Sequence, residues 1–435
     1  MSTRQNRAKL LCILLIYATL VSTAYADPKE DVLKPYDGPS VRGVDPSTLK
    51  GKVMTGYQGW FNCDGDGADL QWTHWSKKRN EPVAPGNVSV DLWPDASDYD
   101  DDELYATGFT YADGSTAKVF SSYNRKTVIR HFKWMADYGI DGAFVQRFAH
   151  GLRYPAWYHH KNKVLSNARE GANRYGRTYA VMYDLTGLPD SNIMSTLADW
   201  QMLCDKMQIT KDPAYQHHKG KPLVAIWGVG FNESIKKRSS LPACKKLIQA
   251  FKTAGCSVML GIPTGWRERE RDALDHPELH DMLRMADVLS PWTVGRFKDL
   301  EQLKDHTEEH WAPDIAWSRK HSMDYMPVIY PGFSWQNNKG EGFNKVPRLR
   351  GKFFWSQVVA CKKSGADMIY IAMFDEVDEG TAIFKCTNNP PVGSNPFLTL
   401  EGLPSDFYLS LAGQAGKVIR NEVSMTTNIP LKTGK

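Results

Sequence analysis

The amino-acid sequence predicts an α/β protein, a single (β/α)8 TIM barrel with a long insertion after the first strand. Three observations carry this expectation. Eight short apolar runs alternate with segments of helical periodicity. Several runs are apolar throughout, as in a parallel sheet covered on both faces. The segments between them are long enough for helical crossovers. A doubly wound sheet alternates in the same way, but neither G-x-G-x-x-G nor G-x-x-x-x-G-K-[ST] follows the first run.

In order, the strand-like runs are Val53–Tyr57, Gly142–Phe148, Tyr179–Tyr183, Leu223–Trp227, Ser257–Ile262, Val288–Trp292, Met326–Tyr330 and Met368–Phe374. Helical patterns cover Lys126–Tyr138, Ala156–Tyr175, Ile193–Met207, Leu241–Ala254, Leu300–Lys320 and Val346–Lys363. The stretch from Gly59 to Ile140 is the expected insertion. It is rich in Asp, Gly, Trp and Tyr, with one helix near its end. An insertion at the carboxyl end of a barrel strand commonly shapes a binding cleft. From Asn388 the chain is Pro- and Gly-rich, then helical over 405–419. With no repeat and no linker, residues 27–435 read as one domain.

Composition fits this class. The 435 residues are 42% hydrophobic, 24% charged and 11% aromatic, which excludes a disordered, collagenous or coiled-coil chain. The formal charge is +5, and residues 1–26 contribute three basic and no acidic side chains, so the remainder carries only +2. A polyanion such as nucleic acid is therefore not the expected partner. Residues 1–26 themselves read as an export signal: Arg4, Arg7 and Lys9, then the apolar run Leu10–Val21, then Ala24-Tyr25-Ala26. The run is too short to span a bilayer core of about 30 Å. The expectation is a secreted or periplasmic monomer without stable membrane insertion. Cys63, Cys204, Cys244, Cys256, Cys361 and Cys386 remain, widely spaced and without a C-x-x-C pair, so no zinc site is indicated.

The chemistry-bearing stretch is the last apolar run, followed by Asp375-Glu376-Val377-Asp378-Glu379-Gly380-Thr381. Four acidic residues within five positions fall at the carboxyl-terminal rim, where barrel active sites are built. Carboxylates crowded in a low-dielectric cleft acquire different pKa values, so one keeps a proton while another is ionised. Glycosidic cleavage needs that division of labour. A solvated acidic loop or a cation site is the bland alternative, and the position at the end of a buried strand argues against it. The aromatic load, fourteen Trp and nineteen Tyr, suits a sugar ligand. Tyr57, Trp60, Trp227, Tyr330 and Trp335 fall at strand ends, as do the polar candidates Arg147, Asp184 and Asp375. Asp64–Asp69 lacks the ligand spacing of a calcium loop, and the scattered histidines offer no metal set. No cofactor is expected.

Phe374-Asp-Glu-Val-Asp-Glu-Gly-Thr381 resembles the Phe-Asn-Glu-Trp-His-Glu-Gly-Thr catalytic segment of glycoside hydrolase family 99, the endo-α-mannosidases. It is more distantly similar to the family 71 α-1,3-glucanases. Tyr57-Gln-Gly-Trp60-Phe61 with Trp72-Thr-His74-Trp75, Gly139-Ile-Asp-Gly142 and Tyr330-Pro-Gly-Phe333 recur in the same order. The resemblance is to the bacterial 71/99-like group often labelled xylosidase/arabinosidase. It implies that Glu376 assists attack by the substrate's own 2-hydroxyl, with overall retention. It also implies that Glu379 is the general acid/base, and that Tyr57, His74 and Trp75 line the subsite. The family Asn, Trp and His become Asp375, Val377 and Asp378 here, which removes an aromatic ring and an imidazole from mannose recognition. An oligo- or polysaccharide with α-links is the implied substrate. The competing readings are an inverting or pentose-specific glycosidase and a carbohydrate-binding barrel without catalysis.

Overall fold

The computed structural model describes residues 32–232 and 239–431; the expected export signal lies outside them. Six parallel strands stand side by side in chain order: β1 (Val53–Tyr57), β2 (Gly142–Phe148), β3 (Thr178–Asp184), β4 (Lys221–Trp227), β5 (Ser257–Ile262) and β6 (Val288–Pro291). Every residue of β1, β3 and β5 is buried, as their unbroken apolar runs predict. β7 forms in two pieces, Asp324–Tyr325 beside β6 and Val328–Ile329 beside β8 (Ile369–Ile371). β8 in turn pairs with the free edge of β1.

The break in β7 has a local cause: Pro327 has no N–H to give to a ladder. The residues at the break still bridge their neighbours. Met326 N–H donates to the Leu289 carbonyl at 2.8 Å, and Tyr370 N–H donates to the Pro327 carbonyl at 3.0 Å. One strand thus bonds on both edges, and the path of the sheet returns to its start.

The helices are α1 (Arg125–Tyr138), α2 (Pro155–Tyr175), α3 (Ser195–Met202), α4 (Leu241–Thr253), α5 (Leu279–Leu283), α6 (Leu300–His306), α7 (Ala312–Lys320), α8 (Lys352–Lys363) and α9 (Phe407–Ile419). α1 buries Val128, Phe132 and Met135 at helical spacing. It stops at Gly139, whose φ of 79° lets its N–H turn back onto the Met135 and Ala136 carbonyls.

Three expectations are corrected. The helix expected over 300–320 is interrupted: α6 passes through a wide π turn at Thr307–Trp311 before α7. Pro313 supplies no N–H to the carbonyl four residues back, and Arg267 Nη2 donates to that Glu309 carbonyl instead, at 2.7 Å. The helix expected from Val346 begins only at Lys352. Val346 ends a strand, Glu341–Val346, paired antiparallel with Phe333–Trp335. Pro347 and the positive φ of Arg350 (51°) and Gly351 (85°) separate it from α8. The last apolar run forms a ladder over three residues only, after which Phe374 N–H donates to the Gly56 carbonyl at 2.8 Å.

Residues between β1 and α1 carry an antiparallel hairpin, Leu104–Thr110 with Thr116–Phe120. Asp66 ties the turn before it together, accepting from Asn62, Cys63 N–H, Ala68 N–H and Ser121. The buried side chains form one connected core. Among the described residues all six cysteines are free, and no helix is long and apolar enough to cross a membrane.

Candidate active site

The carboxyl ends of β1, β2, β3, β4, β6 and β8, with the hairpin after β7, enclose a cleft of about 700 Å³. β1 delivers Gln58 and Trp60, β2 Gln146 and Phe148, β3 Asp184 and Thr186, and β4 Trp227 and Phe231. Opposite them stand Trp292 after β6, Phe333 and Trp335 from the hairpin, and Met373, Glu376 and Glu379 after β8. Trp227 meets Trp292 edge to face at 5.5 Å, so one wall is a continuous aromatic surface.

The two glutamates are held differently. Glu376 Oε1 accepts from Gln58 Nε2 at 2.7 Å, and its Oε2 accepts from Thr381 Oγ1 at 2.9 Å. Burial pushes its carboxyl well above the usual range, and the negative charges of Glu379 and Asp378 push the same way. Burial and then Asp378 push Glu379 up to about 8. The Trp335 indole N–H and the Lys339 charge pull it partly back, although that N–H does not meet the geometry of a full hydrogen bond. Two buried carboxyls this strongly linked titrate as a pair. The donors from Gln58 and Thr381 offset part of the rise on Glu376, a support that Glu379 lacks, so the pair shares a retained proton between unlike sites.

Asp375 points away from the cleft. Its two oxygens accept from Gln58 N–H and Gly59 N–H, each at 2.8 Å, which clamps the loop after β1 against the loop after β8. Burial raises Asp375 to about 6 in spite of those amides. Lys161 on α2 closes the same cluster, its Nζ donating to the Gln58 carbonyl at 3.2 Å beneath the Phe148 ring. Burial lowers Lys161 to about 7, with Asp375 resisting that fall.

Of the residues expected to bind substrate, Trp60, Asp184, Trp227 and Trp335 line the cleft with Glu376 and Glu379. His74 stands behind Trp60, stacked on it at 3.8 Å and 5°, with Nδ1 at 2.9 Å from Asp378. It braces the ring instead of facing the cleft. Five other expectations are corrected. Tyr57 is fully buried, its hydroxyl paired with His131 Nδ1 at 2.9 Å. Trp75 is buried and donates to the Phe120 carbonyl at 2.9 Å. Arg147, the last but one residue of a strand, points outward to Asp199 at 2.9 and 2.5 Å and to Asn162 at 3.1 Å. Tyr330 donates to the Phe297 carbonyl behind the aromatic wall. Asp375, as above, is a clamp and not a lining residue.

The sequence reasoning missed Gln58, Gln146 and Phe148. Alternation was the available signal: along β2, Gln146 and Phe148 share the inward face, whereas Arg147 between them takes the outward one. Gln58 directly follows β1. Among the described residues no group of three His, Cys, Asp or Glu side chains is arranged to hold a metal. The Trp60 and Trp335 indole N–H groups, both shielded from solvent, have no hydrogen-bond partner among the described residues. Buried donors of this kind are ordinarily satisfied by water or by a bound ligand's oxygen.

No family model matches the sequence, and no curated protein matches it. Solved structures do. The GH99 endo-alpha-mannosidase from Bacteroides thetaiotaomicron superposes with a TM-score of 0.58 at 17% identity, over 86% of this chain and 99% of that one. Its complex with BIS-TRIS-propane gives 0.59 and 16% over the same shares. The chain shares the family 99 fold. That is the fold of the family whose catalytic segment the residues 374–381 resemble, and it places those residues at the rim after β8.

Proposed function

We propose that the protein is an exported glycoside hydrolase that cleaves an α-linked oligo- or polysaccharide with retention, acting as a monomer. One observation carries the reading: two glutamates from a single loop, buried in one aromatic cleft, with hydrogen-bond donors on one and almost none on the other. Glu379, pushed up to about 8, keeps its proton at neutral pH and delivers it to the departing glycosidic oxygen. Glu376, ionised between Gln58 and Thr381, draws a proton from the sugar's own 2-hydroxyl as that oxygen attacks the anomeric carbon. Glu379 then takes a proton from water as that water attacks the anomeric carbon on the face the leaving group vacated; the bond from that carbon to the 2-oxygen breaks, and Glu376 returns its proton to the 2-oxygen. Trp227 and Trp292 form the stacking platform, and the unpaired indole N–H groups of Trp60 and Trp335 hold sugar oxygens. Export rests on the pattern of residues 1–26. The long segment after β1 supplies Gln58 and Trp60 and so shapes one side of the cleft.

The test is product release from a panel of α-linked glycans by the mature protein beside a Glu379→Gln variant. Loss of the acid should lower kcat about 10²–10⁴-fold on unactivated substrates. NMR of the first-formed anomer reads the stereochemistry. Equal rates in both proteins would remove Glu379 from its role, and an inverted first product would remove the anhydro route.

A further inference from the structure

The cleft is not electrically uniform. Beside the carboxylates Asp184, Glu376 and Glu379, its lining includes three cationic side chains: Arg296 and Lys298 from the loop after β6, and Lys345 from the hairpin after β7. Lys339, on the turn of the same hairpin, is close enough to lower the pKa of Glu379. The whole chain beyond residue 26 carries only +2 with its signs interspersed, so this clustering is local.

The supporting loops are fixed, not random surface. Arg296 Nε donates to Asp272 at 2.7 Å, which leaves its outer nitrogens unbonded among the described residues. Phe297 is buried and its carbonyl accepts from Tyr330, which pins the loop between the two cations. Lys298 N–H donates to Gln302 Oε1 at 3.1 Å, a residue that itself lines the cleft. Among the described residues, neither the Lys298 nor the Lys345 ammonium has an ion-pair partner. Both are exposed toward the cleft mouth. A neutral sugar draws only ordinary hydrogen bonds from cations held beside an aromatic platform, whereas a charged one gains stronger, doubly charge-assisted bonds from them.

We infer that the substrate is an anionic glycan, one whose sugar carries a carboxylate or sulfate bound by Arg296, Lys298 and Lys345 next to the cleavage point. The inference rests on the proposed glycosidase reading for its reaction, and on the charge layout alone for its ligand class.

The test compares uronate-bearing oligosaccharides, sulfated oligosaccharides, and their carboxyl-reduced or desulfated forms on the full mature protein, at ~20 and ~200 mM salt. The readouts are the ratio of kcat/KM for charged over neutral substrate, and retention of each glycan in affinity electrophoresis. A ratio well above one is expected for one anion type, falling about tenfold in Lys298→Ala or Lys345→Ala and falling again with salt. Which arm responds decides between carboxylate and sulfate. Cleavage of neutral glycans with no charge preference would overturn this inference and leave the glycosidase standing. Selective, lysine-dependent retention of charged glycans without cleavage would do the reverse. Neither retention nor cleavage of any charged glycan would overturn the ligand class.

Discussion

Gln58 concentrates more of the site's chemistry than any single carboxylate. Its side-chain amide donates to Glu376, its backbone N–H donates to Asp375, and its carbonyl accepts from Lys161. Only the first contact acts directly on a reacting group. A charge-assisted hydrogen bond contributes about 1.5–3 kcal/mol, and removing it disfavours the ionised form of Glu376. In Gln58→Leu the carboxyl should rise by about one to two pKa units. The proposed route requires ionised Glu376, so the acidic limb of the kcat/KM profile should move to higher pH by that amount. The alkaline limb, set by loss of the Glu379 proton, should move far less. A profile lowered evenly at every pH, with both limbs in place, would reduce Gln58 to a spacer in the wall.

At the level of elements, Arg147 separates what alternation can tell from what burial decides. The strand β2 reads clearly in the sequence, and its bounds in the fold are those of the apolar run Gly142–Phe148. A charged residue near its carboxyl end looked like a ligand group. The period of two, however, places it on the outer face with α3, where Asp199 also receives Tyr183 at 2.6 Å. Removing one partner of a buried ion pair strands the other and costs about 3–5 kcal/mol. Arg147→Met should therefore lower the midpoint of chemical denaturation sharply while leaving KM of the folded fraction unchanged. A large KM change at unaltered stability would return Arg147 to the binding face. Strands and acidic rim were legible because burial on both faces writes long apolar runs and because Glu376 and Glu379 follow one directly. The hairpin over 104–120 was not, since its half-exposed strands carry mixed residues, although Asp113-Gly114 marks its turn. The basic rim was also illegible: Arg296, Lys298 and Lys345 lie on two separate loops that only barrel curvature brings to one mouth.

For the molecule as a whole, the buried carboxyl pair sets a pH-dependent burden on stability. Burial shifts Glu379 from 4.5 to about 8 in the folded state, so between those values the folded protein binds a proton that the unfolded chain has lost. Stability from this group therefore falls as pH rises through that window and stays low above it. Glu376 acts in the same direction, because its folded carboxyl is also raised. Buried histidines oppose this in acid: His131 and His160, each lowered from 6.5 to about 3, make stability rise with pH until the unfolded chain loses its own protons near 6.5. Lys161, lowered from 10.5 to about 7, opposes it again in alkali. Total stability is thus a sum of conflicting slopes, but the difference between parent and Glu379→Gln isolates the pair, because the histidines and Lys161 are common to both. The glutamine is neutral at every pH and relieves Glu376 of a neighbouring charge. Its Tm should lie close to that of the parent near pH 5 and exceed it by a widening margin up to pH 8. A constant or shrinking margin would mean that Glu379 is already ionised in the folded protein, and so unavailable as the acid. The predicted trend ties the proposed catalysis to cost: the proton kept for the leaving group is one whose loss the fold resists.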